Sequence, residues 1–186
     1  MTGRDLGHAL LTIARSAIAE RLGLGNFEKA EHAALQQHSA TFVTLKKTGQ
    51  LRGCIGSLRA ARPLAIDVRE NAIAAAFHDP RFAPLAAAEF RSTSVEVSLL
   101  SAAERVNVGS EEELLAQLRP GVDGLILEYG RHRATFLPQV WEALADPREF
   151  LAALKQKAGL PEGFWHEGLS VSRYGVTKWV DLDFAI

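Results

Sequence analysis

TFVTLKKTGQLRGCIGSL, from Thr41 to Leu58, sets two apolar-rich runs on either side of Thr48-Gly49. β-Branched and apolar residues favour extended chain, and a Thr-Gly pair between two such runs favours a tight turn. The stretch reads as a β-hairpin. Its second arm, Leu51-Arg-Gly-Cys-Ile-Gly-Ser-Leu58, carries the only cysteine of the chain, Cys54. Residues two apart on a strand share a face. With Leu51 and Ile55 toward the core, Arg52 and Cys54 would stand together on the opposite side. A guanidinium beside a thiol favours the thiolate. Gly53 and Gly56 would let a ligand or a second backbone come close. The competing reading of a lone cysteine is a small buried hydrophobe.

The elements around this hairpin follow from periodicity and punctuation. Leu6, Leu10, Ile13, Ala14, Ala17 and Leu22 recur at helical steps, so 5–22 is an amphipathic helix stopped by Gly23 and Gly25. A weaker helical pattern covers 28–37. Pro63 opens a helix to about Phe77, with Leu64, Val68, Ala72 and Ala75 or Ala76 as its buried stripe, and Asp79-Pro80 closes it. The segment 81–85 is irregular. Val95, Val97 and Leu99 alternate with Glu96 and Ser98, which makes 92–100 a strand. Ser110-Glu-Glu-Glu113 is a capping box for a helix over 111–118. A second hairpin joins 125–129 to 133–137 across Gly130-Arg131-His132. Asp146-Pro-Arg-Glu149 starts a helix that Gly159 caps. The apolar pair 169–174 and 176–180 reads as one more antiparallel unit. Strands come as hairpins with helices between them, so the fold class is α+β, a mainly antiparallel sheet with flanking helices.

The totals narrow the function. The chain has 186 residues, 47% of them hydrophobic, and one cysteine. That is enough to bury a core without disulfide or metal staples. A single thiol suits a reducing compartment, and the charged residues among the first twenty argue against a signal peptide or a membrane span, so a cytoplasmic location is expected. A net charge of −1 argues against a generic nucleic-acid binder. Charge is uneven, however. Lys46, Lys47, Arg52, Arg59, Arg62 and Arg69 face one acidic residue, Asp67, within 46–69. This segment reads either as a solvated basic face or as a site for a small anionic ligand or acidic partner.

Candidate chemistry centres on Cys54. A nucleophilic cysteine needs a base: the candidates are His78 in AAAFHDPRF and His132 in YGRHRATF, and Glu96, on the polar face of its strand in VEVSLL, could join the same cleft. Arg52, Gly53, Gly56, Arg81 and Gln139 are the candidate ligand-binding residues. Arg81 could pair with Glu89, Glu96 or a ligand carboxylate. Asp79-Pro-Arg-Phe82 has a structural reading as a helix stop and turn, and Phe136-Leu-Pro-Gln-Val-Trp141 one as a hydrophobic plug. Gly53-Cys-Ile-Gly56 has the spacing of a nucleic-acid-clamping loop, but such a loop joins two helices, and this one lies in a strand. There is no phosphate-loop lysine motif, no dinucleotide fingerprint and no zinc-ligand spacing, so neither cofactor nor metal is expected.

LRGCIGSL, AAAFHDPRF, VEVSLL, GVDGLILEYGRHRATFLPQVWE and EFLAALKQKAGL occur here in an order that resembles the AMMECR-type domain, whose prokaryotic members are called AmmeMemoRadiSam system protein A. The resemblance runs from about Leu10 to the end. It implies an α+β fold with a larger lobe from both chain ends, about 1–58 and 85–186, and a smaller inserted lobe at about 59–84. It also implies association with a Memo-type protein and a radical-SAM protein, and a site in the cleft beside Leu51–Gly56. It supplies no established activity. Two readings follow. One is an accessory partner of a Memo/radical-SAM system. The other is an enzyme in which Cys54 is the nucleophile or redox group, Arg52 its stabiliser, and Glu96 or His78 the acid/base, acting on a small anionic substrate.

Overall fold

The computed structural model of the chain describes residues 3–25 and 30–183. The chain forms two compact units, Met1–Leu100 with Thr177–Ile186, and Ser101–Val176. The first contains α1 (Gly3–Arg21), a 3-10 turn at Ala33–Gln36, β1 (His38–Lys47), β2 (Gln50–Gly56), β3 (Arg62–Pro63), α2 (Leu64–Phe77), α3 (Ala87–Phe90) and β4 (Thr93–Leu100). The second contains β5 (Glu104–Arg105), α4 (Glu111–Gln117), β6 (Gly124–Tyr129), β7 (His132–Phe136), α5 (Pro147–Lys157) and β8 (Ser170–Tyr174). The last strand, β9 (Val176–Val180), joins the sheet of the first unit. The weak helical pattern over 28–37 is the short turn at Ala33–Gln36; Glu28 and Lys29 lie outside the described residues.

In the first unit the strand order is β2-β1-β4-β9, with β3 paired to the start of β1. Strand β1 pairs antiparallel with β2, β3 and β4. Alternation along β1 and β4 places Val43, Leu45, Val95 and Val97 on one face, all with no solvent exposure. They join Leu10, Leu11 and Ile18 of α1 and Leu64, Val68 and Ala72 of α2 in one core. Each large aliphatic side chain buried there contributes roughly 1.5–3 kcal/mol. The expected stripe of α2 is thus the observed one. The apolar side of α2 completes this core. Ser101–Val176 forms the other unit.

In the second unit the order is β5-β8-β6-β7. Its core gathers Leu125, Leu127, Phe150, Leu151 and Leu154. Trp141 stacks on Phe150, ring centroids 3.7 Å apart, and its indole N–H donates to the Asp123 carbonyl at 2.7 Å. Asp146 caps α5 by accepting from the Arg148 and Glu149 N–H groups at 2.8 and 3.2 Å, as the sequence requires. The expectation that 169–174 and 176–180 form one antiparallel unit is corrected. Strand β8 pairs with β5 and β6, whereas β9 lies beside β4 in the other sheet. Only Gly175 separates the two strands, too short a connection for a hairpin turn, so the chain passes from one sheet to the next.

Candidate functional site

The orientation of Cys54 is decided by one extra residue. The turn at Thr48-Gly49 has φ of 50° and 80°, the left-handed pair of a two-residue hairpin loop. It pairs Lys47 with Gln50 and Lys46 with Leu51. The register then shifts, so Leu45 faces Gly53 and Thr44 faces Cys54, and Arg52 has no partner on β1. This is a β-bulge. Unshifted pairing would put Thr44 opposite Gly53 and turn Cys54 to the core side with Val43. A one-residue slip exchanges the two faces of a strand. The bulge therefore brings Cys54 to the face opposite the apolar core. The thiol is half-buried, and its Sγ accepts the Thr44 hydroxyl at 3.3 Å.

Strand β2 is the edge of its sheet, so backbone groups pointing away from β1 lack a strand to bond. At Cys54 side chains take that place. Its N–H donates to Asp79 Oδ2 at 2.9 Å, and its carbonyl accepts from Arg81 Nη2 at 3.2 Å. Arg81 in turn holds Asp79 with two bonds, Nε to Oδ1 at 2.9 Å and Nη2 to Oδ2 at 2.7 Å. The Arg81 hydrogen bond is the main cause that holds the Asp79 carboxyl far below the usual carboxylate range. Burial opposes it, and the N–H groups of Cys54 and Arg81 add to the lowering. Asp79 raises Arg81 in return. The DPRF turn thus closes a sheet edge that would otherwise be open to pairing.

Arg52 is not beside Cys54, which corrects the expected thiolate stabiliser. The bulge sends its guanidinium to Glu89 on α3, with Nη2 to Oε2 at 3.1 Å and Nε to Oε1 at 3.5 Å. Lys47 reaches the same carboxylate at 2.9 Å. Arg52, Lys47 and the Ala86 N–H lower the Glu89 carboxyl to about 2. The guanidinium near Cys54 is that of Arg81, which pairs with neither Glu89 nor Glu96.

The other expected residues divide. Glu96 lies opposite Thr44 on β4, so Cys54, Thr44 and Glu96 form a row across three strands on one face. Side chains directly opposite each other sit about 4.5–5.5 Å apart at Cβ. Glu96 is only 7% exposed, and its two oxygens are taken by Lys46 at 3.2 Å and Lys178 at 3.1 Å. His78 is an exposed cap at the end of α2 and makes no side-chain hydrogen bond to Cys54. The space at both glycines is filled by the protein itself. A Cβ on Gly53 would sit 2.1 Å from the Ala75 carbonyl oxygen, and one on Gly56 would sit 2.2 Å from the Phe42 ring. Gln139 is exposed in the second unit, beside the buried Trp141. His132 serves the same unit, with Nδ1 2.9 Å from the Ala158 carbonyl.

The basic segment 46–69 is mostly neutralised. Lys46 pairs with Glu96, Lys47 and Arg52 with Glu89, Arg62 with Asp67, and Arg69 with Glu20. Arg59 alone of the six has no ion pair among the described residues. Three of the carboxylates lie outside the window in sequence, which is why a local charge count finds an excess.

Sequence reasoning missed two groups. Thr44 stands against the thiol only because of the bulge, and nothing local announces that shift. Asp67 is fully buried and accepts from Thr41 N and Oγ1 at 2.8 and 2.7 Å, from Asn71 at 2.9 Å, from Ser57 at 2.7 Å and from Arg62 at 2.8 Å. Those bonds tie the exit of β2 to β1 and α2. The i, i+4 spacing of Asp67 and Asn71 on the apolar side of α2 was the available signal.

Among the described residues there is no group of three or more His, Cys, Asp or Glu side chains able to hold a metal ion. No helix among them is long and apolar enough to cross a membrane. The AMMECR1 family model matches residues 11–179. A protein of Methanothermobacter thermautotrophicus is 41% identical over 172 residues, covering 88% of each chain. One from Sulfolobus acidocaldarius is 37% identical over 179 residues, covering 91% of this chain and 79% of its own. The crystal structure of the uncharacterized protein PH0010 from Pyrococcus horikoshii superposes with a TM-score of 0.76 at 35% identity, covering 94% of this chain and 90% of that one. The match spans all the elements that build the Cys54 face, and the chain belongs to the AMMECR1 family.

Proposed function

We propose that the face around Cys54 is a thiol site that acts on small anionic acyl donors. The observation that carries this reading is the setting of the sulfur. It is half-exposed, turned from the core by the bulge, and it accepts a hydrogen bond from Thr44 at 3.3 Å. The Thr44 hydroxyl donates to the sulfur, and the Arg81 guanidinium sits on the Cys54 carbonyl at 3.2 Å. His78 makes no hydrogen bond to the sulfur, so in this reading the thiol itself carries the reactivity. Lys46 and Lys178, on the same side of the row, favour an anionic substrate. In the step, the thiolate attacks the acyl carbon, an S–C bond forms, the bond to the leaving group breaks, and the thiol proton leaves to solvent. Incubation with acetyl phosphate tests it by mass spectrometry. Acetylation confined to Cys54, slowed in Thr44→Val, is expected. No acetylation of the native chain contradicts it.

A second reading is favoured by a separate observation. Leu51 and Leu58, at the two ends of the LRGCIGSL stretch, are 43% and 41% exposed. Apolar side chains flanking an edge strand suit a protein partner. In this reading the chain is an accessory to a Memo-type protein and a radical-SAM protein. Co-purification with either protein, lost in Leu51→Glu with Leu58→Glu, supports it. Retention of neither by the native chain removes it. Arg62 is unsuited to such a test, because it holds buried Asp67.

A further inference from the structure

The first unit contains a cavity of about 520 Å³, lined by Arg15, Lys46, Thr48, Arg91, Ser94 and Asp181 among others, with Cys54 not in its lining. Its size falls in the range of small-molecule sites. At one side Arg15 and Asp181 form an ion pair, and Arg15 also donates to the Thr93 carbonyl at 3.1 Å. That pair is neutral. Two cations remain. Arg91 is exposed and has no carboxylate partner among the described residues. Lys46 is bound to Glu96, but Lys178 holds the other oxygen of Glu96 at 3.1 Å. Lys46 can therefore turn to a ligand without leaving that carboxylate unpaired. The hydroxyls of Thr48 and Ser94 lie on the same wall and donate to the Lys47 and Lys46 carbonyls at 2.7 and 3.3 Å. Asp181 keeps one carboxylate oxygen, Oδ1, buried with no donor.

From these residues we infer that the cavity binds a phosphate group, either free or carried on a small hydroxylated molecule. Arg91, which has no carboxylate partner among the described residues, and Lys46, which shares Glu96 with Lys178, leave this wall with an excess of positive charge that suits a phosphate dianion. Arg91 supplies a planar fork of donors and Lys46 a point charge. The site does not rest on the chemistry of Cys54.

The experiment is calorimetric titration of the full chain with inorganic phosphate and, in parallel, with glycerol 3-phosphate. Saturable binding of one or both is expected, weakened by added salt. Tighter binding of glycerol 3-phosphate identifies a phosphomonoester site; equal binding identifies a free-phosphate site. Arg91→Glu should lower the affinity about tenfold or more, and Arg91→Lys should restore part of it. Arg59→Glu, a surface charge change outside the cavity, should leave binding unchanged. Absence of saturable binding, or the same loss in Arg59→Glu as in Arg91→Glu, overturns the proposal. Cys54→Ser removes the acetylation readout without altering any cavity residue, so the two proposals fail separately.

Discussion

Asp79 accepts the backbone N–H of Cys54 at 2.9 Å from a side chain that is only 2% exposed. A carboxylate from the DPRF turn thereby does what a neighbouring strand would do. It closes the edge of β2 at the cysteine and fixes where the thiol stands.

Replacing Asp79 with Ala removes the acceptor of Cys54 N–H and the partner of Arg81 together. A lost charged hydrogen bond and a buried donor left unpaired cost about 2–3 kcal/mol. Urea unfolding of Asp79→Ala should show that loss. An open edge also promotes self-association, so light scattering of the variant should rise with concentration. A variant as stable and as monodisperse as the native chain would contradict the edge-closing role.

Gly53→Ala should destabilise by several kcal/mol, since its methyl would sit 2.1 Å from a backbone oxygen of α2 that no rotamer change can move. Thermal unfolding reads this directly. A neutral result would mean that α2 does not press on β2.

Acid should weaken the first unit through Glu89 and Asp79. Both carboxyls titrate lower in the folded chain than in the unfolded one, so the folded form binds fewer protons. The stability from Glu89 is present in full above its ordinary value of 4.5 and is lost as pH falls toward about 2. In Glu89→Gln that part of the acid-unfolding curve should flatten, with stability lower at neutral pH. An unchanged curve would separate Arg52 and Lys47 from the stability of α3.

Much of this was legible in the sequence. Alternation in 92–100, the stripe of α2 and the caps of α1 and α5 follow from local rules, and local rules govern them in the fold. The thiol site was half legible. Period-two reasoning assumes an unbroken ladder, and the bulge at Arg52 breaks it one residue before Gly53. Arg52 therefore left the thiol for Glu89, and Thr44 came to it. Long-range pairs such as Lys178 with Glu96 join residues far apart in the chain, and no window contains both. The path of β9 was misread for the same reason: adjacency in sequence at Gly175 hides a change of sheet.

In the second unit, Trp141→Phe should keep the stack on Phe150 but lose the 2.7 Å bond to the Asp123 carbonyl. The expected cost is about 1–2 kcal/mol, seen in chemical unfolding. A loss as large as a core deletion would mean that packing, not the bond, dominates there.

The most direct measurement is the rate of alkylation of Cys54 in the native protein, beside Thr44→Val. With one cysteine the signal has one source. The account predicts labelling of the folded chain at a rate that changes when the Thr44 hydroxyl is removed. Labelling that occurs only at the rate of unfolding, or is indifferent to Thr44, would make Cys54 a packing residue and contradict the account.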